Sequence, residues 1–282
     1  MIERVAVIGA GTMGHGIAAV SAMAGSQVTL ADSDPVACAA AMIRIGATLD
    51  KAIERGKLAP ADRAAVLGRV RAAADVPDAV HDADLVIEAI PERLDLKQAL
   101  FAELERHAPA DAILATNTSS LSVSAIAEAV AEPGRVVGLH FFNPVPAMRL
   151  IEIVRGPATS DDTISAARAF AESLGKTPIV VRDSPGFVTS RLGVVLGLEA
   201  IRMLEEGVAS AEDIDRAMEL GYNHPMGPLR LGDIVGLDVR LAIADHLHST
   251  LGGDTYVAPA LLRRMVAEGR LGRKSGQGFY QW

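Results

Sequence analysis

The chain contains a single cysteine, Cys38, so no intrachain disulfide can form and the sequence suits a reducing compartment. It also lacks an excess of positive charge. Its 27 lysines and arginines are outnumbered by 35 acidic residues, giving a net charge of −8. That balance argues against nucleic acid or an anionic membrane as a main partner, since both need net positive surface. A small polyanion could still bind, but only through locally clustered cations. No uncharged apolar run approaches the roughly 18 residues that cross a bilayer, and no internal repeat or low-complexity tract is present. A strand-like run begins almost at Met1, which leaves no space for a signal or transit peptide. These absences together lead to the expectation of a cytoplasmic protein. The 282 residues suit one large or two medium domains, and half of them are apolar.

What is present is concentrated in the first few dozen residues. Arg4-Val5-Ala6-Val7-Ile8 reads as a strand buried on both faces. Gly9-Ala10-Gly11-Thr12-Met13-Gly14 follows, then a helix carrying Ile17, Ala18, Val20 and Ser21, then a second strand, Gln27 to Ala31, closed by Asp32. In that setting Gly9 permits a sharp turn, Gly11 lets the backbone approach a pyrophosphate, and Gly14 lets the helix sit against the sheet. The first N–H groups of the helix then face the phosphates. A glycine-rich turn alone means no more than a tight loop. Here the strand, the helix and the acid at the right distance agree, and the stretch reads as a dinucleotide site. Asp32 can accept hydrogen bonds from both ribose hydroxyls and repels a 2′-phosphate, which favours NAD over NADP. Cys38 lies among alanines on the next helix and reads as inert packing.

That helix runs from Pro35 to about Arg55 and continues through Gly56-Lys57-Leu58-Ala59-Pro60 into a second, Ala61 to Leu67. Lys51, Arg55 and Lys57 cluster on this excursion, as either a solvated face or a clamp for a second set of phosphates. Asp84 to Ile90 is the next buried strand, with Pro91-Glu92 turning it into a helix from Leu94 to His107. Glu92 and Lys97 are candidates to line the cofactor, which lies at strand ends in an open parallel sheet. A strand, Ala112 to Ala115, then leads into Asn117-Thr118-Ser119-Ser120 and a helix from Ser122 to Val130. The polar run is either a helix cap or an active-site wall. Farther on, two apolar strands flank Asn143-Pro144-Val145-Pro146, which can continue neither. A reversal near Val145 and Pro146 would bring His140 and Glu152 side by side, an arrangement that makes a histidine a competent proton acceptor. Each residue alone also has a structural reading, as a strand-end histidine and a solvent-facing edge acid.

A helix from about Ser160 to Leu174 and a strand from Thr177 to Val181 complete the first domain. The composition changes at Asp183-Ser184-Pro185-Gly186, dividing the chain into 1–183 and 184–282. The remainder reads as helices, Phe187 to Glu206, Ala211 to Leu220, Leu229 to Leu251 and Tyr256 to Glu268, stopped by Gly207, Gly221, Gly252 and Gly269. The first is more apolar than a solvent-facing helix should be. Gly193 and Gly197 on it suit either a dimer interface or internal packing. The tail from Arg273 to Tyr280 reads as frayed and basic, or as folding back toward phosphates. The fold class is α/β, a mostly parallel Rossmann-type sheet with an all-helical C-terminal domain.

With these residues assembled, the chain closely resembles the L-3-hydroxyacyl-CoA dehydrogenase family, particularly its short-chain bacterial members acting on 3-hydroxybutyryl-CoA. The likeness rests on the glycine turn, Glu88-Ala89-Ile90-Pro91-Glu92, Asn117 to Leu121, Gly138-Leu139-His140-Phe141-Phe142-Asn143-Pro144, Pro185-Gly186-Phe187 and Gly276-Gln277-Gly278-Phe279-Tyr280. The His-Phe-Phe-Asn-Pro run with Glu152 beyond it is the specific part. The resemblance implies an NAD-dependent enzyme that reversibly oxidises an (S)-3-hydroxyacyl-CoA to the 3-ketoacyl-CoA, as in fatty-acid β-oxidation, without a metal. It implies His140 as general base with Glu152 as its partner, and Ser119 near the reacting oxygen and the nicotinamide. Asn143, Glu92, Lys97 and Lys274 would line the cofactor site, and the Thr48 to Lys57 excursion would approach CoA. It also implies a homodimer through the helical domain. Ser190 stands where many members carry a substrate-bonding asparagine; its hydroxyl can donate, but reaches less far. Two other readings stay open, a dehydrogenase of a free hydroxy or sugar acid and a non-catalytic NAD-binding protein.

Overall fold

The computed structural model describes residues 2–282, and the chain divides into two units, Met1–Asp183 and Ser184–Trp282. The first unit begins β1 (Arg4–Ile8), α1 (Thr12–Met23), β2 (Gln27–Ala31), α2 (Pro35–Glu54), α3 (Arg63–Leu67), β3 (Val70–Ala72) and α4 (Val76–Val80). It continues with β4 (Leu85–Glu88), α5 (Leu94–His107), β5 (Ile113–Thr116), α6 (Val123–Ala127), β6 (Val136–Phe141), β7 (Leu150–Arg155), α7 (Asp161–Ser173) and β8 (Thr177–Arg182). The eight strands form one sheet in the order β3-β2-β1-β4-β5-β6-β7-β8. Neighbours are parallel except β6 and β7. Strands β4, β5 and β6 are buried along their whole length, which explains their continuous rather than alternating apolar sequences. Each Val, Leu or Ile so buried contributes about 1.5–3 kcal/mol.

Strand order reverses between β1 and β4, and in such sheets the ligand crevice opens there, outside the carboxyl ends. Glycines bring the backbone together at this point. Gly9 has φ +106°, and a Cβ on it would lie 2.5 Å from the Ala89 carbonyl oxygen. A Cβ on Gly14 would lie 1.7 Å from the Gly9 carbonyl oxygen. Helix α2 starts from Asp34, whose side chain accepts from the Val36 N–H at 2.9 Å, with Pro35 in the first turn. Between Leu67 and Asp84, where the sequence pattern offered no element, the chain makes β3 and α4. Strand β3 is three residues long with two exposed, too short for periodicity to register.

The second unit holds α8 (Thr189–Glu205), α9 (Ala211–Gly221), α10 (Pro228–Val235), α11 (Leu237–Leu251) and α12 (Ala260–Ala267) around Leu198, Leu237, Leu247 and Leu262. The single helix expected from Leu229 to Leu251 is broken at Gly236, which has φ +107° and which no periodicity argument weighs. Helix α12 starts at Ala260, after Pro259, rather than at Tyr256. Gly207, Gly252 and Gly269 end their helices with positive φ, but Gly221 is the last residue of α9 and Asn223 takes the left-handed turn instead. The tail is not frayed. Asp233 of α10, fully buried, accepts from the N–H groups of Phe279 and Tyr280 and from Trp282 Nε1, each at 2.9 Å.

The Gly193–Gly197 notch of α8 is filled from within. Arg240 of α11 donates from Nη1 to the Gly193 carbonyl at 2.7 Å, and a Cβ on Gly197 would lie 2.0 Å from that nitrogen. Burial pushes the Arg240 guanidinium down to about 10.

The contact of Gly14 on Gly9 is backbone on backbone and cannot yield. Gly14→Ala is expected to lower stability by about 1–3 kcal/mol, an overpacking cost, read as a lower urea midpoint with unchanged slope. A midpoint equal to wild type would show that the turn can open freely.

Candidate active site

The turn after β1 is shaped for a dinucleotide. Helix α1 begins at Thr12 with no side chain capping it, which leaves its first N–H groups to an external acceptor. The space above Gly11 is open, with nothing within 4 Å of where a Cβ would stand. At the end of β2, Asp32 accepts from the Ala10 N–H at 2.7 Å through one oxygen and from the Asp34 N–H at 3.0 Å through the other. Gly9, Gly11, Thr12, Met13, Gly14 and Asp32 therefore fit the phosphates and ribose of a bound NAD. Arg44, which the sequence did not single out, donates to the Ala10 carbonyl at 2.8 Å.

After β4 and β5 the chain builds a polar strap. One oxygen of Glu92 accepts from Thr118 Oγ1 at 2.5 Å and from the N–H groups of Ser119 and Ser120 at 2.9 and 3.3 Å. Its other oxygen lies 3.3 Å from Lys97 Nζ, and 36% of its side chain stays exposed. Burial raises the Glu92 carboxyl, but the Lys97 charge and the Thr118 and Ser119 donors outweigh it, and the group sits below its ordinary value. Lys97 departs from expectation. Its side chain is fully buried, with Nζ 2.6 Å from Glu88, so it does not line the crevice surface and meets the strap only at Glu92. Glu88, also fully buried, accepts from Thr116 Oγ1 at 2.6 Å and from the Ile90 N–H at 2.7 Å. Burial raises its carboxyl above the ordinary value despite Lys97.

His140 and Glu152 are direct partners in the antiparallel β6–β7 ladder. The structure brings them together, with Nδ1 2.7 Å from Oε2 and both side chains buried. The ring of Phe142 lies 4.3 Å from that of His140. The reversal after β6 is pinned by Lys176, whose Nζ donates to the Val145 and Met148 carbonyls, both at 2.7 Å.

Thr48, Lys51, Arg55 and Lys57 line a cavity of about 780 Å³ together with Thr12, His15, Asn143 and the turn that follows it. Arg149 and Lys176 complete its cationic wall, and no carboxylate lines it. The turn supplies an apolar side through Val145, Pro146 and Met148. Ser119 is not on this cavity. Two further candidates belong to the second unit. Ser190 lies in the first turn of α8, half-buried, and Lys274 Nζ is 2.6 Å from Asp238. Among the described residues no group of three His, Cys, Asp or Glu could hold a metal ion. No helix among them is long and apolar enough to cross a membrane. Cys38 is buried, and burial raises its thiol.

The depressed Glu92 carboxyl carries a pH dependence. A group lowered on folding stabilises the fold above its unfolded value, here the ordinary 4.5, and that stabilisation is lost as pH falls through the folded value. Wild type should therefore exceed Glu92→Gln in urea midpoint at pH 7, and the gap should close only below about pH 4.5. A gap that stays constant to pH 3 would mean that the charge does not hold the strap.

Comparison with known proteins places this geometry. Residues 4–184 match the family model described as 3-hydroxyacyl-CoA dehydrogenase, NAD binding domain, and residues 186–282 match the model of the same family's C-terminal domain. The probable 3-hydroxybutyryl-CoA dehydrogenase of Bacillus subtilis is 46% identical over 281 residues, covering 100% of this chain and 98% of that protein. Among solved structures, Mycobacterium tuberculosis FadB2 superposes with a TM-score of 0.96 at 45% identity, covering 100% of this chain and 99% of that one. The (S)-3-hydroxybutyryl-CoA dehydrogenase PaaH1 of Ralstonia eutropha superposes with a TM-score of 0.95 at 41% identity, with the same coverage. With both domain models matched in order and across nearly its whole length, the chain belongs to the 3-hydroxyacyl-CoA dehydrogenase family.

Proposed function

We propose that this protein reversibly oxidises (S)-3-hydroxyacyl-CoA, 3-hydroxybutyryl-CoA in particular, to the 3-ketoacyl-CoA with NAD. The observation that carries the reading is the buried His140–Glu152 pair at 2.7 Å, at the carboxyl end of the sheet that also bears the dinucleotide turn. Bound NAD supplies the acceptor for the C3 hydride. His140 accepts the substrate's hydroxyl proton at Nε2, since Nδ1 is committed to Glu152, and the Glu152 carboxylate balances the imidazolium that results. In the reverse direction the imidazolium returns that proton. Ser119 orients the reacting oxygen from the strap held by Glu92. Asn143 lines the approach to the nicotinamide, and Asp32 selects NAD by repelling a 2′-phosphate.

The cationic cavity supports a CoA thioester over a free acid. Thr48, Lys51, Arg55 and Lys57 present hydroxyl and positive groups to the phosphates, in a chain whose net charge is −8. Ser190 and Lys274 enter the proposal through the family resemblance alone, as substrate and cofactor contacts. The single buried cysteine and the acidic surface suit the cytoplasm.

NADH consumption is expected with acetoacetyl-CoA and not with a free 3-keto acid; consumption of the free acid alone would overturn the CoA assignment. His140→Ala should lose on the order of 10²–10⁴ in turnover with NAD affinity nearly intact. Glu152→Gln should move the acid limb of the oxidation profile to lower pH, because the imidazolium loses its counter-charge; an unchanged profile would make Glu152 structural.

We also propose a homodimer through the second unit. Leu192 of α8 is 62% exposed, and Leu231, Val235 and Val239 of α10 and α11 are exposed as well. Such apolar side chains in one helical unit suit self-association. Leu192→Glu should shift the sedimenting species from dimer to monomer, and a wild type that sediments as a monomer would remove the proposal.

A further inference from the structure

The first unit contains an ion pair, Glu88 with Lys97, in which neither side chain has any exposed surface. Glu88 ends β4 with no exposed surface. Its oxygens are engaged by Lys97 Nζ at 2.6 Å, the Ile90 N–H at 2.7 Å and Thr116 Oγ1 at 2.6 Å. Thr116 is its partner in the β4–β5 ladder, so the carboxylate is fixed to two adjacent strands. Lys97, equally buried, comes from the first turns of α5 and reaches past Glu88 to Glu92 at 3.3 Å. Glu92 in turn gathers Thr118, Ser119 and Ser120. One chain of contacts thus runs from the sheet interior to the serine loop.

We infer that Glu88 is a positioning residue: through the buried ammonium of Lys97 it fixes Glu92, and with Glu92 the Thr118–Ser120 strap, in the geometry the reaction uses. The inference rests on the proposed roles of Glu92 and Ser119. Stability alone does not call for such a pair, because apolar side chains of similar volume serve a core as well or better. What the pair adds is a located charge. Lys97 lies closer to Glu88 than to Glu92, and that bias leaves one Glu92 oxygen to the strap. Without the Glu88 charge, the ammonium has Glu92 as its sole counter-ion and draws it inward, away from Ser119.

The test compares Glu88→Gln, Lys97→Met and the double variant in the full chain. Four quantities are measured: thermal midpoint, calorimetric Kd for NAD, and kcat and KM with 3-hydroxybutyryl-CoA. Glu88→Gln should lower kcat about tenfold to a hundredfold and raise the Kd for NAD about tenfold, with the thioester KM little changed. Its midpoint should also fall. The double variant should recover part of the midpoint, since neither member of the fully buried pair is left charged and only Glu92, 36% exposed, loses a counter-ion, while keeping both functional losses. Recovery of kcat and Kd together with the midpoint would show a purely structural pair and overturn the inference, as would wild-type values in Glu88→Gln. If Glu88→Gln does not fold, the double variant decides by the same comparison. A wild type that binds NAD but turns over no thioester defeats the functional reading alone, and the Kd ratio still decides this one.

Discussion

The site depends on the register between β6 and β7. Side chains alternate along a strand, so a slip of one residue would send Glu152 to the opposite face and set Ile151 or Ile153 against His140. Several contacts hold the register. Gly138 leaves room for Val154 and Val123, where a Cβ would come within 2.7 and 2.9 Å; a slipped strand would bring a larger residue there. The Asn117 side chain accepts from the Phe141 N–H at 2.9 Å, closing β6 at that residue. Lys176 grips the reversal, and β8 pairs with all six residues of β7. The imidazole and the carboxylate are partners because the sheet leaves β7 no other alignment.

Charge is arranged differently at the two ends of this sheet. At the amino ends of β1 and β4, Arg4 and Asp84 pair at 2.7 Å, but with 53% and 27% of their side chains exposed, a type of contact worth about 0–1 kcal/mol. At the carboxyl ends Glu88 and Lys97 are buried and matched, with the partly exposed Glu92 also against Lys97, and buried His140 stands against buried Glu152. Removing one member of a buried pair costs about 3–5 kcal/mol, because the other is left uncompensated. The same end carries the uncapped α1 and, along its flank, a cavity with cations and no carboxylates. The overall acidity of the chain therefore says little about what this end can bind.

Much of this was legible in the sequence, where a single element carried its own signal. Helix α5 was read from Leu94 to His107, as found, because its periodicity lies between a proline turn and a proline. The meeting of His140 and Glu152 followed from their near-symmetric placement about a turn rich in proline. What could not be read depends on distant segments arriving together. Lys97 was expected at the crevice because it follows a strand end and its turn, but its side chain is buried against Glu88. Lys176 reaches the cavity only because α7 returns the chain to β8 alongside β7. The signal for Glu88 was present, a carboxylate ending an otherwise apolar strand, but its meaning needed Thr116 and Lys97 in space. Similarly, nothing local to Asp233 announces that it gathers the last residues of the chain.

The glycine pair on α8 shows how a spacing can identify a notch without identifying its occupant. Small residues four apart permit close approach, and the structure uses the permission for a side chain rather than for another helix. Arg240 lies in the notch with its Nη1 on the Gly193 carbonyl, while its Nε, among the described residues, has no partner. A guanidinium held there, even pushed down to about 10, stays charged at neutral pH and commits that face of α8 to the interior. Val194, Leu198 and Ile201 are buried on the helix with Gly197, whereas Leu192 is not. Gly197 is thus covered by Arg240, whereas nothing lies within 4 Å of where a Cβ on Gly193 would stand. Most of the apolar excess that marked this helix in the sequence therefore lies on the same interior face as Gly197, and Leu192 stands apart from it.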